Sequence, residues 1–223
     1  MTSLGAYESL LLKVNRNDRN SNIHIPRGRF VNIFNEQQRN WLKDTLHENL
    51  GTDDIDQLND LLVDDVSLER VKINRDHVEF ELPDDFYSFS SAYCLASTEE
   101  CKDRPLVVWN VKPKNARVLL LNENESPSFE YEETICSISN QKVRIYFDDF
   151  QIEEAFLNYY RFAKDIDLEG YVKIDNTPSI TIDPELSDAY VDEIINRCAA
   201  EIMRNVQNQE GFGFAKERIQ TEK

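Results

Sequence analysis

Long apolar runs are missing from this chain of 223 residues. The longest stretches, such as Val118–Leu121, fall far short of the ~20 residues a helix needs to cross a bilayer. No membrane-spanning helix is expected. No basic stretch precedes the apolar residues of MTSLGAYESLLLKVNR, so no secretory leader is expected either. Cysteine and histidine are scarce. Cys94, Cys101, Cys136 and Cys198 form no CxxC pair, and His24, His47 and His77 are scattered. That spacing argues against a structural zinc site and fits thiols kept in a reducing cytosol. No GxSxG, HExxH, P-loop or GxGxxG string occurs, nor any internal repeat or low-complexity segment. Cations are outnumbered, 25 Lys and Arg against 42 Asp and Glu, for a net charge of −17. Such a surface repels phosphate backbones and anionic lipid, which excludes a nucleic-acid-coating protein but leaves room for a local basic patch.

The 12 Phe, 9 Tyr and 2 Trp argue against wholesale disorder, and the length suits one domain or one domain carrying a large insertion. Charge is uneven. Residues 1–47 carry a net +3, residues 48–101 a net −12 and residues 102–223 a net −8. A basic end thus precedes an acidic body.

Periodicity predicts helices first. Leu4, Tyr7, Leu10, Leu11 and Val14 mark one face of a short helix. A loop, NRNDRNSNIHIPRG, follows. A second helix spans about Phe30–Leu50, with Phe30, Phe34, Trp41, Leu42 and Leu46 on one stripe and Gly51 as a C-terminal cap. Asp53 or Asp54 caps a third short helix that turns Ile55, Leu58, Leu61 and Leu62 inward. The pattern then alternates. VSLERVKINRDHVEFEL predicts two antiparallel strands around Asn74–Asp76, with Leu68, Val71, Ile73, Val78, Phe80 and Leu82 inward. His77, beside that turn, is expected to be exposed. Residues 84–94 read as turn plus strand or short helix, and RPLVVWNVKP, ARVLLLNE, QKVRIYFDD and EAFLNYYRF as strands. Last comes a helix with Val191, Ile194, Ile195, Cys198, Ala199, Ile202, Met203 and Val206 along one stripe, capped by Asp183 or Ser187.

The fold class predicted is α+β. N-terminal helices (1–66) and a return segment with the long C-terminal helix (166–208) pack as a helical layer, a central antiparallel β block (67–165) is inserted between them, and a tail (209–223) follows.

Two constellations suggest chemistry. Pro83-Asp84 followed by Glu100-Cys101-Lys102 matches the PD…ExK string of metal-dependent nucleases, where carboxylates hold Mg²⁺ and a lysine polarises the scissile group. Here, though, the second half lies in a polar run, STEECKDR. The pairs Asp148-Asp149 and Glu153-Glu154 have the residue types of glycosidase acids, but in so acidic a chain such pairs are expected as solvated charge. Two other features suit partner contacts. Arg16, Arg19, Arg27 and Arg29 lie on the loop between the first helices and can meet an acidic edge of the next copy, a head-to-tail contact that closes into a ring. Phe212 and Phe214, each preceded by a glycine (Gly211 and Gly213) and near Lys216, form a tail suited to docking on a neighbour.

Four strings in order, FVNIFNEQQRNWL, PSFEYEETICSISNQKVRIYFDD, AFLNYYRF and DPELSDAYVDEIINRCAAEIMRNVQN, resemble the neck (ring, or head–tail connector) proteins of tailed bacteriophages, crAss-like phages in particular, over roughly Leu4 to Asn208. The resemblance implies a virion protein made in the host bacterial cytoplasm. It implies a ring of about twelve copies beneath the portal, extending the DNA channel and offering a platform to the tail. Its partners would be copies of itself, the portal protein and other neck and tail rings. DNA passes through without sequence-specific binding, no membrane is involved, and no cofactor or catalytic residue is carried over. By the same resemblance Phe212 and Phe214 insert into a neighbour or the portal. The alternative is a tail, baseplate or glycan- or receptor-binding component, with Trp109, Tyr159 and Tyr160 lining a groove; a metal-dependent nuclease built on Asp84, Glu100 and Lys102 ranks below it.

Overall fold

A helix whose apolar residues recur every three or four positions has one stripe to bury, and the C-terminal helix shows how this chain does so. In the computed structural model, which describes residues 1–15, 23–48, 56–122 and 124–205, that helix spans Asp188–Asn205. Its Val191, Ile194, Ile195, Cys198, Ala199, Ile202 and Met203 are buried. It packs on helices Ser3–Asn15 (α1) and Arg27–Glu48 (α2). Each buried aliphatic side chain contributes ~1.5–3 kcal/mol before entropy is counted. Polar clamps fix the register. The Trp41 indole N–H donates to Glu193 at 2.9 Å, Lys13 pairs with Asp192 at 2.5 Å, and Arg197 pairs with Asp44 at 2.6 Å. The chain is α+β overall, and its described residues fall into two compact units, one drawn from Met1–Asp60 and Ala163–Lys223, the other Leu61–Phe162.

The second unit is an eight-stranded sheet. Its strands are Leu62–Ser67 (β1), Arg70–Ile73 (β2), His77–Glu81 (β3), Phe86–Ser97 (β4), Arg104–Asn110 (β5), Glu133–Ser139 (β6), Lys142–Tyr146 (β7) and Gln151–Arg161 (β8). Their spatial order is β1-β8-β4-β5-β6-β7-β3-β2. Alternation turns Val78, Phe80, Leu106, Val108, Cys136, Val143, Ile145, Ala155 and Leu157 to one face, where they share one core. Because that core joins strands from both ends of the order, the sheet curls around it.

Several expectations need correction. The block is mixed, since β5 and β6 run parallel, with Val107 opposite Glu133 and Trp109 opposite Ile135. Parallel neighbours need a crossover, and ARVLLLNE supplies it as part of helix Pro113–Leu119 (α3) instead of a strand. Pro113 presets a helical φ at the first position, and Ala116 turns inward. The third helix is only a 3₁₀ turn, Asp56–Leu61, leading directly into β1. Leu58 and Leu61 are buried as expected, but the sheet unit begins at Leu61 rather than residue 67. Val71 and Ile73 are 45% and 59% exposed, because β2 is a short edge strand whose four residues all stand in solvent, Ile73 included although it lies opposite the buried Val78. Leu4, expected inward, is exposed; α1 buries Leu10 and Val14 as expected, together with Ser3 and Ala6. His77 is half-buried, hydrogen-bonded to Asp76 at 2.7 Å and Asn74 at 2.9 Å. Asp183 does not cap the last helix. It accepts the Ser3 N–H at 2.7 Å and so caps α1, while the Ser187 carbonyl starts the last helix by accepting the Val191 N–H. We label that last helix α4. Among the described residues no helix is long and apolar enough to cross a membrane.

Candidate functional site

Between β8 and α4 the chain has almost no regular structure, yet residues 167–182 are firmly built. Antiparallel bridges join Asp167 to Ile182 and Val172 to Pro178. The Ser179 N–H donates to the Tyr171 carbonyl at 3.0 Å, and the Lys173 N–H to the Thr177 carbonyl at 2.9 Å. Asn176, at φ 62°, turns the tip, and Asp175 accepts from the Thr177 N–H and hydroxyl.

Asp167 holds this hairpin from inside. One carboxylate oxygen accepts from the Leu168 N–H at 2.9 Å and the Tyr171 hydroxyl at 2.8 Å. The other accepts from the Ile180 N–H at 3.2 Å and pairs with the Lys173 ammonium at 2.7 Å. Burial alone would raise this carboxyl's pKa. The Lys173 ammonium, the Tyr171 hydroxyl and the two backbone donors outweigh it, so the group titrates below its usual range.

The hairpin's base is seated on α2. Asn35, itself buried, donates to the Ile166 carbonyl at 3.0 Å and accepts the Ile166 N–H at 2.9 Å, as a neighbouring strand would. Gln38 donates to the Lys164 carbonyl at 3.1 Å and Arg27 to the Glu169 carbonyl at 2.6 Å. Tyr171 lies so close to Gly28 that a β-carbon there would stand 3.0 Å from its ring. Gly170, at φ 103°, faces the Arg27 guanidinium. This anchored hairpin turns apolar groups to solvent: Val172 is 68% exposed, Ile174 100% and Ile180 57%. Residues 165–183 hold five acids and one lysine, and Asp165, Glu169, Asp175 and Asp183 are exposed.

The sheet unit has a contrasting surface. Trp109, on the β5 face away from the main core, is 56% exposed and donates its indole N–H to Glu133 at 3.3 Å. With Val111, Leu119, Ile135 and the acids Glu125 and Glu133 it lines a cavity of about 230 Å³. Val118 and Leu121, on and just after α3, are exposed. Residues 105–122 contain Lys112, Lys114 and Arg117, all exposed, and no acid.

Of the residues singled out in the sequence, Arg16, Arg19, Phe212, Phe214 and Lys216 lie outside the described residues, as do His47's side chain, Gly51, Asp53, Asp54, Ile55 and Val206. Arg29 is exposed, whereas Arg27 is half-buried and spent on the Glu169 carbonyl. Asp84 and Glu100 sit at opposite ends of β4, whose 12 residues span about 35 Å, so the nuclease string is not brought together. Among the described residues no group of three His, Cys, Asp or Glu is placed to hold a metal ion. Asp148, Asp149, Glu153 and Glu154 are exposed. Tyr159 and Tyr160 alternate to opposite faces of β8 and are 3% and 2% exposed, so they do not join Trp109 in one groove. Tyr159 donates its hydroxyl to Asp85 at 2.7 Å.

Asn35, Gln38, Asp167 and Tyr171 were missed as candidates. Their only signal is polar residues, Asn35 and Gln38, falling within the apolar period of α2. No known family model matches the chain, and no curated protein matches it.

Proposed function

We propose that the chain is a structural virion protein that forms a ring in the neck of a tailed bacteriophage, joins portal to tail and lines part of the DNA channel. In this reading α1, α2 and α4 form a helical layer, the body of the ring, and the sheet is an insertion in it. Copies of the chain, the portal protein and adjoining rings are its partners. The observation that carries the proposal is the hairpin 167–182. A buried carboxylate and two α2 amides hold it in shape, and three aliphatic side chains stand on it in water. An isolated protein gains nothing by ordering such an arm, whereas an assembling one gains a preformed contact. The sequence resemblance supports the particular assembly, and the net charge of −17 suits a channel past which DNA must slide.

Light scattering of the purified chain, alone and mixed with the portal ring, tests this. A high-order oligomer in either condition supports the proposal; a monomer in both refutes it. A second reading, a glycan- or receptor-binding virion component, draws on exposed Trp109 beside its cavity. Binding of a soluble glycan that is lost in Trp109→Ala would favour it.

A further inference from the structure

Two exposed surfaces of this chain are opposite in charge and alike in carrying uncovered apolar side chains. The hairpin segment 165–183 is acidic, with Glu169 and Asp175 exposed beside Val172, Ile174 and Ile180. Segment 105–122 holds no acid in a chain whose acids prevail, and its Lys112, Lys114 and Arg117 flank exposed Trp109, Val118 and Leu121 and outnumber the two carboxylates beside Trp109, Glu125 and Glu133. Among the described residues none of those three cations has an ion-pair partner.

We propose that the hairpin of one copy docks on the α3–Trp109 surface of the next copy, with Ile174 against the apolar residues and Glu169 and Asp175 facing the three cations. This rests on the ring reading above and names the surfaces that would build the ring. The match of a net negative arm to a net positive patch selects a second copy as occupant, because both halves of the contact are present on every chain. The two surfaces differ, so the contact is heterologous: it leaves one free arm and one free patch on any open chain of copies and is satisfied throughout only by closure. Apolar contact supplies affinity, while the charges set orientation and raise the rate of encounter. Attraction between these two segments also offsets the repulsion that a charge of −17 per copy imposes on any assembly.

The test uses the full chain, alone and with the portal ring, followed by sedimentation and light scattering over a range of concentration and salt. Ile174→Asp changes a side chain that is 100% exposed in the single chain, so it leaves the melting temperature of the dissociated chain unchanged. It should weaken self-association at least about tenfold. Charge reversal at Lys112, Lys114 and Arg117 to Glu should do the same, and adding Glu169→Lys, which leaves the Asp175–Thr177 turn intact, should restore part of the association. Oligomers of unchanged mass and affinity in both the Ile174→Asp and the triple-reversal variants would overturn the docking and leave the ring reading standing. A wild-type chain that stays monomeric in both conditions would overturn both.

Discussion

Replacing Asp167 by Asn should loosen the hairpin without unfolding either unit. The substitution keeps the side chain's shape, but only one of its two terminal atoms can still accept. An Asn oxygen directed at Leu168 and Tyr171 leaves its NH₂ facing the Ile180 N–H and the Lys173 ammonium, two donors toward one. One charge-assisted bond is worth ~1.5–3 kcal/mol, and a buried donor left without an acceptor adds its desolvation cost. Together they come to about 3 kcal/mol. If the loss is confined to the hairpin, amide exchange at Ile180 and Ser179 should quicken about 100-fold, while exchange in the sheet unit stays constant. If it is felt throughout the helical unit, the melting temperature should fall by about 6–12 °C. The pH dependence gives an independent check. The native carboxyl titrates below its ordinary 3.8, so its contribution is complete above about pH 5 and is lost as pH falls through the lower native value. Wild-type protection should decline in that acid range, and Asp167→Asn should lack this component. Equal exchange rates and equal melting temperatures in the two proteins would refute the view that Asp167 holds the arm.

Thiol chemistry separates the four cysteines. Cys101 is exposed, whereas Cys94 and Cys136 are buried and burial pushes both up to about 12, and burial likewise raises Cys198. One thiol per native chain should react promptly with a disulfide reagent at pH 8, and Cys101→Ser should abolish that phase. Phe80→Ala removes a ring that is 1% exposed from the sheet core and should cost ~3–5 kcal/mol by chemical denaturation. Tryptophan fluorescence should divide into two populations under iodide quenching, since Trp41 is 2% exposed and Trp109 56%, and Trp109→Phe should remove the quenchable one.

Strong periodicity carried the helices: the stripes of α2 and α4 were legible because their residues are buried on one side and wet on the other. The β7 and β8 strands were legible for the same reason at period two. Failures cluster where tertiary context decides. ARVLLLNE has the composition of a strand, yet it forms much of the crossover helix α3, because a parallel β5–β6 pair needs a connection over the sheet face. Val71 and Ile73 alternate correctly with their neighbours, but β2 ends the strand order, and no pattern within one strand says that it will be an uncovered edge. Asp183 has the chemistry of a helix cap and caps a helix 180 residues away instead of the one beside it. The hairpin was illegible for a different reason. Its stability lies in side chains bonding backbone, Asn35 to Ile166 and Asp167 to Ile180, and such long-range bonds leave no local pattern.

The most direct test of the neck assignment is an electron micrograph of finished particles decorated with an antibody fragment raised against this chain. The account predicts label at the head–tail junction, arranged around the particle axis. Label confined to tail fibres or the tail tip, or particles that carry no label at all, would contradict it.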